Sequence, residues 1–237
     1  MKVVAIGDIH GQYRHLNLML DAIKDVDHDH IVFIGDYIDR GESSREVIKI
    51  IRQLSNVTLL CGNHEDMAIR SLTSGYWRQN WVANGGDKVL KEYECDYSNF
   101  SQELVADLMW LNEHTELYKI IDDHMFVHAG INPYLELDNN VQSEDMLWIR
   151  KEFLKYKDPM PYYIVHGHTP YDDDFTKITG DIDIRDNRCN LDGGCVYGGK
   201  LVGALFDTES DNLKPLKIFR VGEMEAAINV CEVEDIV

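Results

Sequence analysis

Asp8 and His10 in GDIH, Asp36 in GDYID, Asn63 in GNH, His128 in HAG and His168 in GHT each follow a short apolar run. Any one of them alone would be an ordinary turn residue. If all five run ends meet, three oxygen donors (Asp8, Asp36, Asn63) and three imidazoles (His10, His128, His168) surround one point. That mixture of hard and borderline donors suits two divalent ions, manganese first and iron or zinc as alternatives, better than a pure magnesium site. Residues two apart in extended backbone point the same way, so Asp8 and His10 can act together. Six donors suffice for two ions only if one is shared. Asp36 is the expected bridge, because the two oxygens of a carboxylate can serve cations about 3.5 to 4 Å apart.

Two adjacent divalent ions acidify a water held between them and neutralise an incoming phosphate, which points to metal-assisted hydrolysis. An acid for the leaving oxygen and cations for the phosphoryl oxygens are then still needed. His64 directly follows Asn63, which puts an imidazole beside the ions without making it a ligand. Asp39 is expected to orient that ring and raise its pKa, and Arg40 to grip phosphate with its two-pronged guanidinium. These roles account for GDYIDRG, residues 35–41, where a plain turn would need only one Asn or Asp beside a Gly. The bland alternatives are a strand-ending turn at Asp8 and His10 and a surface ion pair at Arg40. Association with four other strand ends weighs against both.

The elements that must position these groups are legible as repeated short runs, VVAIGDIH, IVFIGDYID, TLLCGNHE, MFVHAG and YIVHGHT, of strand length and strand composition. Between several of them lies helical spacing: Leu16, Leu20 and Ile23; Val47, Ile50, Ile51 and Leu54; and residues 103–111. Strand followed by helix predicts an α/β sheet with its ligands at the carboxyl ends of the strands. After about residue 171 the texture changes to glycine-rich turns and short runs such as LVGALF and LKPLKIF, which predicts a second, more antiparallel sheet. Two mixed sheets with helices outside make a four-layer α-β-β-α sandwich, expected as one domain over residues 1–237.

The chain of 237 residues carries 42 acidic and 23 basic side chains, a formal net charge of -19. That balance disfavours nucleic acid and anionic membrane as partners. The start, MKVVAIGDIHG, has only a four-residue apolar stretch before its first acid, so no secretion signal is expected. Five cysteines (Cys61, Cys95, Cys189, Cys195, Cys231) form no CxxC pair, which fits reduced thiols and a cytoplasmic location. Oligomeric state is not readable from the sequence.

GDIHG, GDYIDRG, GNHE, HAG and GHT, in this order over residues 7–169, resemble the phosphoprotein phosphatase family of calcineurin-like metallophosphoesterases, with the bacterial and phage serine/threonine protein phosphatases nearest. The resemblance implies one metal on Asp8, His10 and Asp36 and a second on Asp36, Asn63, His128 and His168. It also implies His64 as acid with Asp39 behind it, and Arg40 on phosphate. MLWIRKE, residues 146–152, is similar to the segment that supplies a second phosphate-binding arginine, here Arg150, and NLDGGCVYGGKL to a carboxyl-terminal hairpin of bacterial members. The expected activity is hydrolysis of phosphomonoesters, phosphoserine and phosphothreonine in proteins first, by direct attack of metal-bound hydroxide. Diadenosine tetraphosphate hydrolysis is the alternative within the family, and a catalytically inactive metal-binding module the alternative outside it.

Other motifs read as structural. His166 alternates with His168 but fits a hydrogen-bonded strand histidine, and His28 and His30 precede a strand, at the end away from the site. GCVYGGKL falls short of a phosphate-binding loop, since Leu201 stands where a hydroxyl is needed and a strand follows. Trp77 and Trp81, four apart, are expected to pack a helix onto the core rather than to line the substrate rim with Arg78.

Overall fold

The computed structural model describes residues 1–137, 139–170, 178, 180–222 and 228–232. Its strands are β1 (Lys2–Ile6), β2 (His30–Phe33), β3 (Val57–Leu60), β4 (Thr115–Glu116), β5 (Tyr118–Ile121), β6 (His124–Val127), β7 (Tyr163–His166), β8 (Asp183–Ile184), β9 (Arg188–Asn190), β10 (Lys200–Asp207), β11 (Lys217–Gly222) and β12 (Ile228–Glu232). The helices are α1 (Tyr13–Ile23), α2 (Ser44–Ile51), α3 (Asn63–Ser71), α4 (Gly75–Trp81), α5 (Asp87–Glu92), α6 (Gln102–His114), α7 (Asn139–Trp148) and α8 (Lys151–Leu154). A kinked segment, Val82–Gly86, joins α4 to α5, with Gly85 outside helical backbone at φ 112° and ψ 2°.

Two mixed sheets result. The first runs β12-β11-β10-β1-β2-β3-β4, parallel from β1 to β4 and antiparallel beyond β1, and the second runs β5-β6-β7-β9-β8. Alternation along β1 sorts its side chains between two cores. Val3 and Ala5 meet Phe126, Val165 and Cys189 of the second sheet, whereas Val4 and Ile6 meet Leu16, Met19 and Ile23 of α1. On the far side of the second sheet, Met125, Val127 and Ile164 pack against Met146, Ile149 and Phe153. The layers are therefore helix, sheet, sheet, helix, as expected. Leu16, Met19 and Ile23 of α1, and Leu104, Leu108 and Leu111 of α6, form the apolar stripes that hold these helices down. The Ser101 hydroxyl accepts the Leu104 N–H and caps α6.

One expectation needs correction. The segments after residue 171 do not build the second sheet by themselves. Strands β10 to β12 extend the first sheet, with β10 antiparallel to β1, and the second sheet begins earlier, at β5. The reason is that β1 is apolar on both faces and so must be central. With β2 on one edge, its other edge needs a partner, and the buried run of β10 supplies it.

Candidate dinuclear metal centre

The loops after β1, β2, β3, β6 and β7 converge where the two sheets meet. His10 (φ 46°), Asp36 (φ 51°), Asp39 (φ 75°), Arg40 (φ 67°) and His168 (φ 68°) all sit in left-handed backbone, which non-glycine residues adopt at a cost of about 1–3 kcal/mol each. The surroundings hold them there. The Asp36 carbonyl accepts the N–H groups of Ile9 (3.0 Å) and His10 (2.8 Å). The carboxylate of Glu65, at the third position of α3, accepts from the backbone N–H of Asp36 (2.8 Å), Tyr37 (2.9 Å), Ile38 (3.3 Å) and Gly62 (3.0 Å). Two glycines are explained by close approach. A Cβ on Gly62 would lie 2.2 Å from Asp36 Oδ1, and one on Gly167 would lie 2.0 Å from Asp8 Oδ1.

Two donor groups form, His10 with Asp36 and His64, and Asp36 with His128 and His168, each with its donor atoms within 4.8 Å of one another. Asp36 belongs to both. Its Oδ2 lies 3.4 Å from His10 Nε2 and its Oδ1 3.4 Å from His128 Nε2. His10 Nδ1 lies 2.9 Å from the Ile38 carbonyl and His128 Nδ1 2.9 Å from that of Ile34. Since a carbonyl only accepts, both rings carry their proton on Nδ1 and turn the Nε2 lone pair inward. His128 Nε2 thus faces Asn63 Oδ1 at 2.9 Å, lone pair against lone pair, and His168 Nδ1 lies at the same distance from that oxygen. Convergent acceptors of this kind fit a cation. Asp8 stands outside both groups, its carboxylate accepting the His168 backbone N–H at 3.1–3.2 Å.

Electrostatics agree with ligation. Burial pushes the His10 ring down to about 3 and lowers His128 and His168 as well, so all three are neutral at pH 7. Burial alone would raise Asp36, but His128, His64, His10 and His168 around it, charged in the acid range where that carboxyl would take up a proton, outweigh that and hold it well below the usual range. Asp8 is pushed well up by burial and by the charges of Asp192 and Asp36. A divalent ion would relieve that crowding of acids.

The remaining predicted groups surround this core. His64 Nδ1 lies 2.6 Å from Asp39 Oδ2, and its Nε2 faces Asp36 Oδ2 at 4.0 Å. Arg40 Nη1 reaches His10 Nε2 at 2.6 Å, and its guanidinium stands 5.4 Å from the centre of the exposed Tyr197 ring. Arg150 is exposed and its Nη1 donates to Thr169 Oγ1 at 3.1 Å, beside His168. The two arginines flank the two donor groups. His166 stays out, with Nδ1 against the Gly167 carbonyl, and His30 pairs with Thr58 at the far end of β2.

Three residues here were missed in the sequence. Glu65 was visible as the last letter of GNHE, three residues after the glycine that immediately precedes α3, which is capping-box spacing. Asp192, in the glycine-rich hairpin, is buried and pushed up to about 7 by that burial, and it accepts the Gly194 N–H at 3.0 Å. Nothing local marked it. Trp81 packs as expected, yet its indole N–H also reaches Asp39 Oδ1 at 2.8 Å and Oδ2 at 3.0 Å.

A two-sheet α/β sandwich with paired Asp and His donors at its strand ends defines the metal-dependent phosphoesterases as a class. Comparison with known proteins narrows this. The family profile described as calcineurin-like phosphoesterase matches residues 1–200, and the chain belongs to that family. It is 30% identical over 234 residues, 86% of this chain and 89% of the relative, to the asymmetrical bis(5'-nucleosyl)-tetraphosphatase PrpE of Bacillus mycoides. A crystal structure assigned as a diadenosine tetraphosphatase superposes with a TM-score of 0.62 at 21% identity, covering 94% of each chain. A serine/threonine protein phosphatase from Saccharomyces cerevisiae superposes with a TM-score of 0.58 at 17% identity, over 95% of this chain and 81% of that one. These two likenesses are of fold.

Proposed function

We propose that residues 1–237 act as one unit that hydrolyses phosphoesters at two divalent ions, manganese first, in a reducing cytoplasm. Asp8, His10 and Asp36 would hold one ion and Asp36, Asn63, His128 and His168 the other. Bound ions would supply an acidified water as nucleophile and neutralise phosphate charge. The chain's own groups do the rest. Arg40 and Arg150 bind the phosphoryl oxygens and orient the phosphorus. His64, its ring held by Asp39, gives the proton on Nε2 to the leaving oxygen as the P–O bond breaks. The observation that carries this reading is the buried His64 imidazole, tied to Asp39 at 2.6 Å with its other nitrogen turned toward the metal-binding carboxylate.

The substrate read first is phosphoserine or phosphothreonine in proteins. A second reading, cleavage of a dinucleoside tetraphosphate, is favoured by the relative named above and by two exposed rings on which bases can stack. Tyr197 stands beside Arg40, and Trp148 lies with its ring centre 6.1 Å from that of His168. Turnover of a phosphopeptide and of diadenosine tetraphosphate by manganese-loaded protein, at equal enzyme concentration, decides between them. A strong dinucleotide preference would overturn the protein-phosphatase reading. Inactivity on every phosphoester would leave an inert metal-binding module.

A further inference from the structure

WVANGG, residues 81–86, belongs to none of the five metal and phosphate motifs, yet it touches the site twice. Asp39 is fully buried. One of its oxygens faces His64 Nδ1, and the Trp81 indole N–H spans both, at 2.8 and 3.0 Å. No Lys or Arg is hydrogen-bonded or ion-paired to this carboxylate among the described residues, so the indole is its one neutral side-chain donor besides the imidazole it orients. The ring fits because residue 86 is glycine: a Cβ there would lie 2.5 Å from the indole Cε2. One residue earlier, the Gly85 carbonyl accepts the Arg40 N–H at 3.1 Å, and a Cβ on Gly85 would press to 2.7 Å from Arg40 Cγ. The end of α4 and the kink that follows it, where Gly85 leaves helical backbone at φ 112°, thus grip the adjacent left-handed residues Asp39 and Arg40.

We propose that this segment is the template of the acid relay, and that Trp81 is a positioning residue that fixes the Asp39 carboxylate so that His64 presents its Nε2 proton to the leaving oxygen. The inference rests on the reading of His64 as acid. Without the N–H, Asp39 loses the donor that sets its plane, and His64 loses its fixed orientation. Phosphate binding is untouched, because Arg40 is held separately by the Gly85 carbonyl.

The test is leaving-group dependence of kcat in Trp81→Phe, with the manganese-loaded protein acting on phenyl phosphate, whose leaving oxygen needs a proton, and on 2,4-dinitrophenyl phosphate, whose leaving oxygen does not. Loss of one hydrogen bond to a charged group predicts a fall of about 10- to 100-fold for phenyl phosphate. Bound manganese, KM and the dinitrophenyl rate should stay within about threefold, since no phosphate-binding group is removed. An equal fall on both substrates, or no fall, would overturn the proposal. Benzothienylalanine at position 81, which keeps the ring outline and lacks only the N–H, gives the same readout should phenylalanine disturb folding. His64→Asn run in parallel separates the two layers of inference. Discrimination between leaving groups by His64→Asn without discrimination at position 81 overturns the role of Trp81 alone. Absence of discrimination in His64→Asn overturns the acid reading and the Trp81 proposal with it.

Discussion

Replacing Asp36 with alanine should separate metal binding from folding. The two oxygens face different donor groups, each at 3.4 Å from an imidazole, so losing the carboxylate would remove a donor from both proposed ions at once. The backbone of residue 36 keeps its own anchors, because its carbonyl still accepts from Ile9 and His10 and its N–H still donates to Glu65. Alanine in left-handed backbone costs about 1–2 kcal/mol. Against that, removing the charge relieves repulsion on Asp8 and on Glu65, whose carboxyl burial and the charges of Asp36 and Asp39 together push up to about 8. Alanine also leaves the buried His64 N–H, which Asp36 Oδ1 accepts at 3.1 Å, without that partner at a cost of about 1–3 kcal/mol, so the metal-free variant should melt about 5 to 15 °C below the metal-free parent. Manganese separates them. Two ions at about 100 times their Kd stabilise the parent by roughly 5 kcal/mol, which is roughly 10 to 20 °C in Tm for a chain of this size, and the variant should gain nothing. Calorimetry with and without manganese, together with metal analysis after dialysis, reads this out. Two ions per chain in Asp36→Ala, or an undiminished rise in Tm, would refute the bridge.

Three more outcomes are expected. His64→Asn should keep both ions and lose roughly 10² to 10⁴ in kcat, and unchanged turnover by steady-state kinetics would remove His64 from the mechanism. Arg150→Ala should raise KM for a phosphomonoester about tenfold while leaving metal content alone, because its guanidinium lies at the rim beside Thr169; unaltered kinetics would make Arg150 structural. Burial holds His166 at about 3 in the folded state against 6.5 when unfolded. The unfolded chain then takes up a proton that the native state refuses, so stability is lost as pH falls from about 6.5 toward 3, by up to about 1.4 kcal/mol per pH unit for this group. Urea unfolding of metal-free parent and His166→Leu at pH 7, 6 and 5 should show a shallower slope in the variant, and identical slopes would contradict the assignment.

Much of the site was legible because its chemistry is concentrated at strand ends. Apolar runs such as Ile31 to Ile34 mark a buried strand by composition, and the polar residues that stop them are the donors themselves. The pairing of Asp36 with both donor groups followed from counting oxygens, and an α/β sheet followed from alternating strands and helices, whereas the segments that build the second sheet did not. Partner choice over long sequence distances was not legible. The attachment of β10 to the free edge of β1, the reach of Trp81 to Asp39 across 42 positions and the burial of Asp192 beside Asp8 have no local signal, since hydrogen bonds and burial between distant segments exist only once both are packed. The same holds for left-handed backbone at His10, Asp36, Asp39, Arg40 and His168. Residue type permits such a conformation at Asp and His but does not impose it. The Glu65 carboxylate, the Gly85 carbonyl and the close approaches at Gly62 and Gly167 impose it, so the sequence by itself determined which donors exist and tertiary packing decided where each one points.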